Sequence, residues 1–131
     1  MSTITGAMLI GQTAVRGRDT EFQAVDPGTG LALDPPFGGG GAAEVERACA
    51  LAWDAFDAFR ETGLDERARF LETVAQNILD LGDALIERGM AETGLPRARL
   101  EGERGRTVGQ LRLFAEVVRE GSWLEARIDP A

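Results

Sequence analysis

The sequence predicts an α+β fold, with an N-terminal β meander followed by three to four helices and a terminal strand. Apolar residues alternate in short stretches between glycine and proline turns over residues 1–41, and they recur every three or four positions over residues 42–121. Alternation then returns from Trp123 to Ile128. We therefore divide the chain into a β meander with a glycine linker at 1–41, a helical region at 42–121 and the start of a strand at 122–131.

The composition excludes many kinds of active site. The 131 residues carry a net charge of −8, all 14 basic residues are arginine, and histidine, lysine and tyrosine are absent. A histidine-based triad, a Schiff-base lysine and a histidine metal site are thereby excluded within this chain. The single cysteine can form neither an internal disulfide nor a cysteine-rich metal site. A self-contained active site would have to use carboxylates, arginine and the one thiol, and from these we single out no catalytic residue and no metal ligand.

The same composition bounds the partners and the location of the protein. The negative charge disfavours nucleic acid and anionic membranes as partners. No apolar run is long enough for a transmembrane helix, and the N-terminus lacks the basic start and continuous apolar core of a signal peptide. A cytoplasmic protein is therefore expected.

Short strands and turns are predicted in the first third of the chain. Gly11-Gln12 fits a two-residue hairpin turn, Asp26–Gly30 has the residues of a second turn, and Pro35-Pro36 should end the strand that follows. The run Gly38–Gly41 lacks the lysine and hydroxyl residue of a phosphate-binding loop, so a flexible linker is favoured over a phosphate site. The predicted strands are Met8–Ile10, Ala14–Val15, Phe22–Val25 and Leu31–Leu33.

The next segments have the spacing of amphipathic helices. Ala42–Arg60 forms the first, and Cys49 lies within its apolar stripe, where a free thiol is more often a small buried hydrophobe than a nucleophile. Asp65 is suited to cap the second helix, which Gly82 should kink or restart. Gly94 should close it.

The longest predicted helix, Pro96–Glu120, is closed by Gly121 and organises the rest of the chain. Arg104 lies within its apolar face, where a charge needs a partner such as Glu101 or a more distant acid. The apolar face, which should meet a core, consists of Leu100, Thr107, Val108, Leu111, Phe114, Ala115 and Val118.

The opposite face of this helix carries Gly102, Gly105 and Gly109 within a narrow arc. Each interior glycine costs about 1 kcal/mol relative to alanine, so the close approach of another backbone or of a ligand would have to offset roughly 3 kcal/mol. Arg106 and Gln110 flank the arc, and an arginine there can offer a planar fork to a carboxylate. On the residues alone, close helix packing beside a solvated Arg106 is the simpler explanation.

The order of elements and several motifs resemble the N-terminal segment of the aldehyde dehydrogenase superfamily. The segments that carry this resemblance are MLIGQTAVRG, FQAVDPGTG, AAEVERACALAWDAFDAFR, ERARFLETVAQNIL and AETGLPRARLEGERGRTVGQLRLFA. The last of them resembles most specifically the α-ketoglutarate semialdehyde (2,5-dioxovalerate) dehydrogenase branch. The resemblance covers essentially the whole chain.

The resemblance implies an α/β subunit of Rossmann type that oxidises an aldehyde with NADP or NAD through a catalytic cysteine and a glutamate. In the family the motifs for these groups lie beyond the part that matches residues 1–131, and Cys49 does not match the catalytic cysteine. This segment alone is therefore expected to be inactive and to bind no cofactor. Its expected partners are the remainder of the subunit, a small acidic aldehyde and further subunits of a homo-oligomer, for which the strand at 122–131 would be of the oligomerisation type.

The resemblance also implies a role for the glycine-rich face. In the family the helix that matches 96–120 borders the substrate tunnel, with Gly102 and Arg106 at tunnel positions. Arg106 would then hold the distal carboxylate of the semialdehyde, Gly102 would leave room for it, and Gln110 is a further substrate-binding candidate.

Two other classes of function remain open on the sequence. One is a free-standing acidic helical module that binds a protein partner without catalysis, and the other is a regulatory fragment that joins intact subunits. Because the isolated helices would expose apolar faces, poor solubility or oligomerisation of the segment is expected.

Overall fold

A computed structural model describes residues 4–127. Within this range the predicted α+β class is confirmed, and no helix is long and apolar enough to cross a membrane. In chain order the elements are β1 (Met8–Ile10), β2 (Thr13–Val15), β3 (Thr20–Val25), β4 (Ala32–Gly39), α1 (Ala42–Arg60), α2 (Leu64–Asp80), α3 (Gly82–Thr93) and α4 (Arg97–Glu120), followed by a 3₁₀ turn (Ser122–Leu124).

Consecutive strands pair as two antiparallel hairpins. The first hairpin turns at Gly11, whose φ of +61° suits the first position of the predicted two-residue turn. The second turns at Asp26, whose carboxylate accepts hydrogen bonds from the backbone N–H groups of Gly28 and Thr29 at 2.7 and 3.3 Å. The aspartate therefore closes the second turn with its own side chain.

Half of the glycine run, Gly38 and Gly39, belongs to β4, so the prediction that the whole run is a flexible linker was wrong. Gly39 pairs with Thr20, and Gly38 pairs with Glu21. A Cβ atom on Gly39 would lie 2.1 Å from Thr20 Oγ1, and one on Gly38 would lie 2.4 Å from the carbonyl oxygen of Gly17. Close packing of the chain, rather than flexibility, therefore requires glycine at these positions.

Pro35-Pro36 lie inside β4, although they were predicted to end the strand. Pairing is irregular there, because residues 34–36 stand opposite Gln23 alone. The two ring nitrogens, which have no hydrogen to donate, therefore fall where the ladder is interrupted.

The buried core of the helical part lies between α2 and α4, which form the most extensive contact among the helices. Ala68 and Ala75 of α2 are buried, as are Val108 and Ala115 of α4. Their small side chains let the two helices approach closely. Ile86 of α3 is the largest fully buried side chain among the described residues.

Helix α1 lies apart from this core, which contradicts the expectation that its apolar stripe is buried. None of its residues is buried, and Cys49 is exposed rather than covered. Trp53 and Phe56 are 81% and 57% exposed. A helical period identifies which face of a helix is apolar, but it does not say which element covers that face.

The predicted helix ends are confirmed for α3 and α4 and corrected for α2. Gly94 and Gly121 close their helices in the left-handed region, at φ values of +70° and +77°. At α2 the cap is Gly63, in an extended conformation, rather than Asp65. The Asp65 carboxylate instead accepts a hydrogen bond from an arginine near the end of α4.

The strand predicted from Trp123 is not confirmed. Ser122–Leu124 form a 3₁₀ turn, and residues 125–127 have no regular structure. The rest of the predicted strand, 128–131, lies outside the described residues. A strand needs a partner for its hydrogen bonds, and the four described strands pair with one another instead.

Candidate functional site

One face of α4 is packed against α2 and α3. Val108 and Ala115 are buried on this face. Arg104, for which Glu101 or another acid was the predicted partner, donates instead from Nη1 to the backbone carbonyl of Gly82 at 3.0 Å. A carbonyl at the junction of α2 and α3 therefore satisfies this half-buried guanidinium in place of a carboxylate.

The opposite face of α4 is open. A Cβ atom built on Gly102, Gly105 or Gly109 meets no atom within 4 Å. Leu113 and Val117 continue this face and are 52% and 40% exposed. No side chain within residues 4–127 fills the bare arc, so nothing in this part of the chain offsets the cost of its glycines.

Arg106 extends from the open face and is paired along one edge of its guanidinium. Its Nε and Nη2 atoms donate to Glu103 Oε2 at 2.9 and 2.7 Å, and its side chain is 71% exposed. Arg99 lies on the other side of Glu103, with its Nη2 atom 2.7 Å from Oε1. The hydrogen bond from Arg106, together with the charges of both arginines, holds the pKa of the Glu103 carboxyl below its usual value. Glu103 is therefore ionised at neutral pH.

Arg106 and Gln110 line the same open cleft at the contact between α2 and α4, whereas Gly102 lies outside its lining. The cleft has a volume of about 410 Å³. Its remaining lining residues are Leu71 of α2 and Thr107, Leu111 and Phe114 of α4. A largely apolar wall with one guanidinium and one amide suits a short ligand that has an apolar middle and an anionic or polar end.

Three cleft residues had been assigned to the core-facing stripe, and the structure corrects this for two of them. Thr107 and Phe114 are exposed, whereas Leu111 is half-buried. At 100° per residue, Thr107 and Phe114 lie on the edge of the stripe that adjoins Gln110, so helical spacing alone could have indicated a shared edge. Leu71 had no such signal, because it comes from another helix.

A second depression, of about 530 Å³, lies beside the first hairpin and is lined by residues 16–21. Arg16 donates to the backbone carbonyls of Thr5 and Pro36 at 3.3 and 3.1 Å and to the Glu21 carboxylate at 3.0 Å. Because these bonds join neighbouring segments of the β meander, we assign Arg16 a structural role.

The lining of the cleft offers contacts for a ligand but no chemistry, because no reactive group of residues 4–127 lines it. Cys49 lies on α1, and within this range no three metal-ligating side chains come together. The glycine run is not an open phosphate cradle either. The N–H of Gly41 donates to the Glu44 carboxylate at 2.9 Å, and Thr20 occupies the space beside Gly39.

The chain matches known proteins over most of its length. Residues 15–128 match the family model of the aldehyde dehydrogenase family. The chain is 62% identical over 129 residues to a protein named alpha-ketoglutaric semialdehyde dehydrogenase 2 from Azospirillum brasilense, and the match covers 98% of this chain and 25% of that protein. It is 49% identical over 88 residues to the alpha-ketoglutaric semialdehyde dehydrogenase of Acinetobacter baylyi, covering 67% of this chain and 17% of that protein.

The present chain therefore spans about a quarter of the length of the Azospirillum relative. The family match extends from the end of β2 through all four described helices, so the α4 cleft lies inside it. The resemblance inferred from the sequence motifs is confirmed, and this chain belongs to the aldehyde dehydrogenase family.

Proposed function

We propose that this chain is the N-terminal part of an NAD(P)-dependent aldehyde dehydrogenase that oxidises an acidic semialdehyde, α-ketoglutaric semialdehyde, to the dicarboxylate. The names of both relatives support this substrate. The observation that carries the proposal is the single guanidinium of Arg106 at the edge of a largely apolar cleft, which supports an acidic ligand. The preference for NADP, the cytoplasmic location and the homo-oligomer belong to the same proposal.

The chemical step belongs to other parts of the protein in this proposal. Residues 4–127 contain only antiparallel strand pairs and no glycine-rich turn between a parallel strand and a helix, so they do not fit a dinucleotide. We therefore assign the cofactor site, the catalytic cysteine and glutamate, and the Rossmann-type sheet to the remainder of the subunit.

The role of this chain is to recognise and orient the substrate. Arg106 holds the distal carboxylate by charge-assisted hydrogen bonds, and Gln110, one turn further along α4, offers an amide N–H to the same end of the molecule. Leu71 and Phe114 contact the methylene groups and exclude water from them. The bare backbone at Gly102 leaves room beside the guanidinium.

Substitution of Arg106→Ala in the full-length enzyme tests this role. We expect kcat/KM for the acidic semialdehyde to fall by about 10- to 100-fold, mainly through a higher KM, because a hydrogen bond to a charged group is lost. An uncharged aldehyde of similar length should be oxidised as by the wild type.

Arg112→Ala is the matched control for this substitution. Arg112 lies on the same helix, about 120° around its axis from Arg106, and outside the lining of the cleft. The substitution Arg112→Ala should therefore leave kcat and KM for both aldehydes unchanged. Equal losses on the charged and uncharged aldehydes with Arg106→Ala would exclude the proposed carboxylate contact.

One observation favours a second function. No residue of α1 is buried, and nearly all of them are exposed. A free-standing acidic module would use this face, including Trp53 and Phe56, to bind a protein partner. The coding sequence downstream of Ala131 separates the two functions. A reading frame that continues into a cofactor-binding βαβ unit and a cysteine motif supports the dehydrogenase, whereas a stop codon directly after Ala131, with a soluble monomeric product, supports the module.

A further inference from the structure

We infer that Glu103 is a positioning residue for Arg106, which it holds so that the outer edge of the guanidinium stays free for the substrate carboxylate. This inference rests on the proposed function, because it assigns Arg106 the same ligand. It adds a second residue that contributes to specificity without touching the substrate.

The evidence begins with the edge of the guanidinium that Glu103 uses. A guanidinium has five N–H donors in one plane, arranged along more than one edge. Glu103 Oε2 accepts from Nε and Nη2 of Arg106, at 2.9 and 2.7 Å, and so occupies the inner edge. The edge formed by Nη1 and Nη2 still has a parallel pair of N–H groups. That pair matches the two oxygens of a carboxylate.

Glu103 is itself held in place. Its Oε1 atom lies 2.7 Å from Nη2 of Arg99, so each carboxylate oxygen is engaged by a different arginine. Its side chain is 33% exposed, against 71% for Arg106. The less exposed carboxylate, fixed from both sides, therefore anchors the more exposed guanidinium.

The charges of this cluster are consistent with an anionic ligand. Arg99 and Arg106 together carry two positive charges and Glu103 carries one negative charge, so the cluster keeps a net charge of +1. A bound carboxylate would make it neutral. Because Glu103 uses a different edge of Arg106, the ligand does not have to displace it.

Glu103 helps binding if its ordering of Arg106 outweighs its repulsion of the ligand. Arginine has a long side chain that loses much rotamer freedom when it is fixed, and Glu103 imposes part of that restriction before the substrate arrives. The repulsion acts between charges that are exposed to water and is strongly screened. We therefore expect removal of the Glu103 charge to weaken substrate binding.

Glu103→Gln in the full-length enzyme tests the inference, because glutamine keeps the shape of the side chain and removes the charge. We expect KM for the acidic semialdehyde to rise by about two- to fivefold, the range of effect usual for exposed ion pairs, with kcat unchanged. KM and kcat for an uncharged aldehyde should not change. Glu103→Asp, which keeps the charge, should retain most of the wild-type affinity.

Glu101→Gln is the matched control. It removes a carboxylate two residues away on the same helix, and Glu101 faces Arg97 at 3.5 Å rather than Arg106. If KM for the acidic semialdehyde depended only on the net charge of α4, both variants would raise it equally. A positioning role of Glu103 raises this KM only in Glu103→Gln. The unchanged kcat for the uncharged aldehyde shows that the variants are folded.

These experiments test the positioning role of Glu103 separately from the contact of Arg106 with the substrate. If KM for the acidic aldehyde is unchanged or lower in Glu103→Gln, or if Glu101→Gln has the same effect, the positioning role is wrong. If Arg106→Ala is selective for the acidic aldehyde at the same time, the proposed function stands without it. If Arg106→Ala affects both aldehydes equally, the proposed contact of Arg106 with the substrate is itself wrong.

Discussion

The guanidinium of Arg88 lies over the ring of Phe37, with 5.9 Å between Cζ and the ring centroid. Nη1 of the same side chain donates to the backbone carbonyl of Asp34, and Nε donates to Glu92 at 2.6 Å. One arginine of α3 therefore joins the β3–β4 hairpin to the helices through a cation–π contact and a hydrogen bond. This contact holds the hairpin, whose two strands would not be stable alone, against the helical part.

Replacing Arg88 by methionine should destabilise the protein by about 1–2 kcal/mol, because the contact with Phe37 and the hydrogen bonds to Asp34 and Glu92 are lost while the apolar stem of the side chain is kept. The buried Nη2 atom has no hydrogen-bond partner among the described residues, and its removal offsets part of the loss. Urea unfolding followed by circular dichroism measures the change in the free energy of unfolding.

Arg60→Met is the matched control for this prediction. Arg60 also lies over an aromatic ring, 5.8 Å from the centroid of Phe56, but its side chain is 57% exposed, against 20% for Arg88. Its substitution should cost at most about 0.5 kcal/mol. Equal effects of the two substitutions would show that burial of Arg88 against the hairpin is unimportant.

Gly109→Ala should stabilise the protein by about 0.5–1 kcal/mol, because alanine restricts the unfolded chain and the added Cβ meets open space. Gly121→Ala, at the end of the same helix, should destabilise it, because the φ of +77° strains a residue with a side chain. Thermal unfolding of the two variants should therefore shift in opposite directions. A destabilising Gly109→Ala would mean that another part of the chain fills the bare arc.

Local rules were sufficient to predict most of the secondary structure. The turn at Gly11, the left-handed ends at Gly94 and Gly121, and the span of α1 all depend on neighbouring residues and were predicted from them. The course of β4 through Pro35-Pro36 was not predicted, because it depends on pairing with β3 and on close contacts between distant glycines. Those contacts have no signal in the local sequence.

Only the part of the candidate site that lies on α4 could be predicted from the sequence. Helical spacing placed Arg106 and Gln110 on one side of α4, and the structure brings both to one cleft. The carboxylate of Glu103 was missed, although its position three residues before Arg106 is a usual spacing for a pair on a helix. Leu71 could be found only from the packing of α2 on α4. The burial of α1 was wrongly predicted, because helical spacing identifies an apolar face but does not show whether another element covers it.

The pKa of the Glu103 carboxyl lies below its ordinary value of 4.5 in the folded chain, because the hydrogen bond from Arg106 and the nearby charges favour the ionised form. Its contribution to stability is therefore present above pH 4.5 and is lost as the pH falls through the folded-state pKa. The difference in unfolding midpoint between the wild type and Glu103→Gln should be largest at neutral pH.

Thermal unfolding between pH 7 and about pH 3 checks this dependence, since the difference should vanish once the carboxyl is protonated in both the folded and unfolded states. In a protein that already carries Arg106→Gln, the pKa of Glu103 should rise. Adding Glu103→Gln to that protein should then change the unfolding midpoint at neutral pH by less than it does in the wild type. A difference that is independent of pH would contradict an electrostatic origin.

The exposed face of α1 gives a direct test of the proposed larger subunit. Cys49 lies on this helix, is exposed and is the single cysteine of the 131 residues, so a thiol reagent applied to this chain reports on α1 alone. We expect Cys49 to react at the rate of an open thiol in the dilute isolated chain. At higher concentration the rate should fall, because exposed apolar faces associate and cover one another.

In the full-length enzyme the remainder of the subunit should cover α1 and slow the labelling of Cys49 by about tenfold or more, since reaction then requires a local opening. Peptide mapping by mass spectrometry after a short labelling pulse identifies this cysteine among the others. Trp53→Ala should leave the rate in the isolated chain unchanged, because the indole is 81% exposed there, and should speed labelling in the full-length enzyme by loosening the covered face. Equal rates in the isolated chain and the full-length enzyme would mean that α1 stays exposed, and the face would then be free for a separate protein partner.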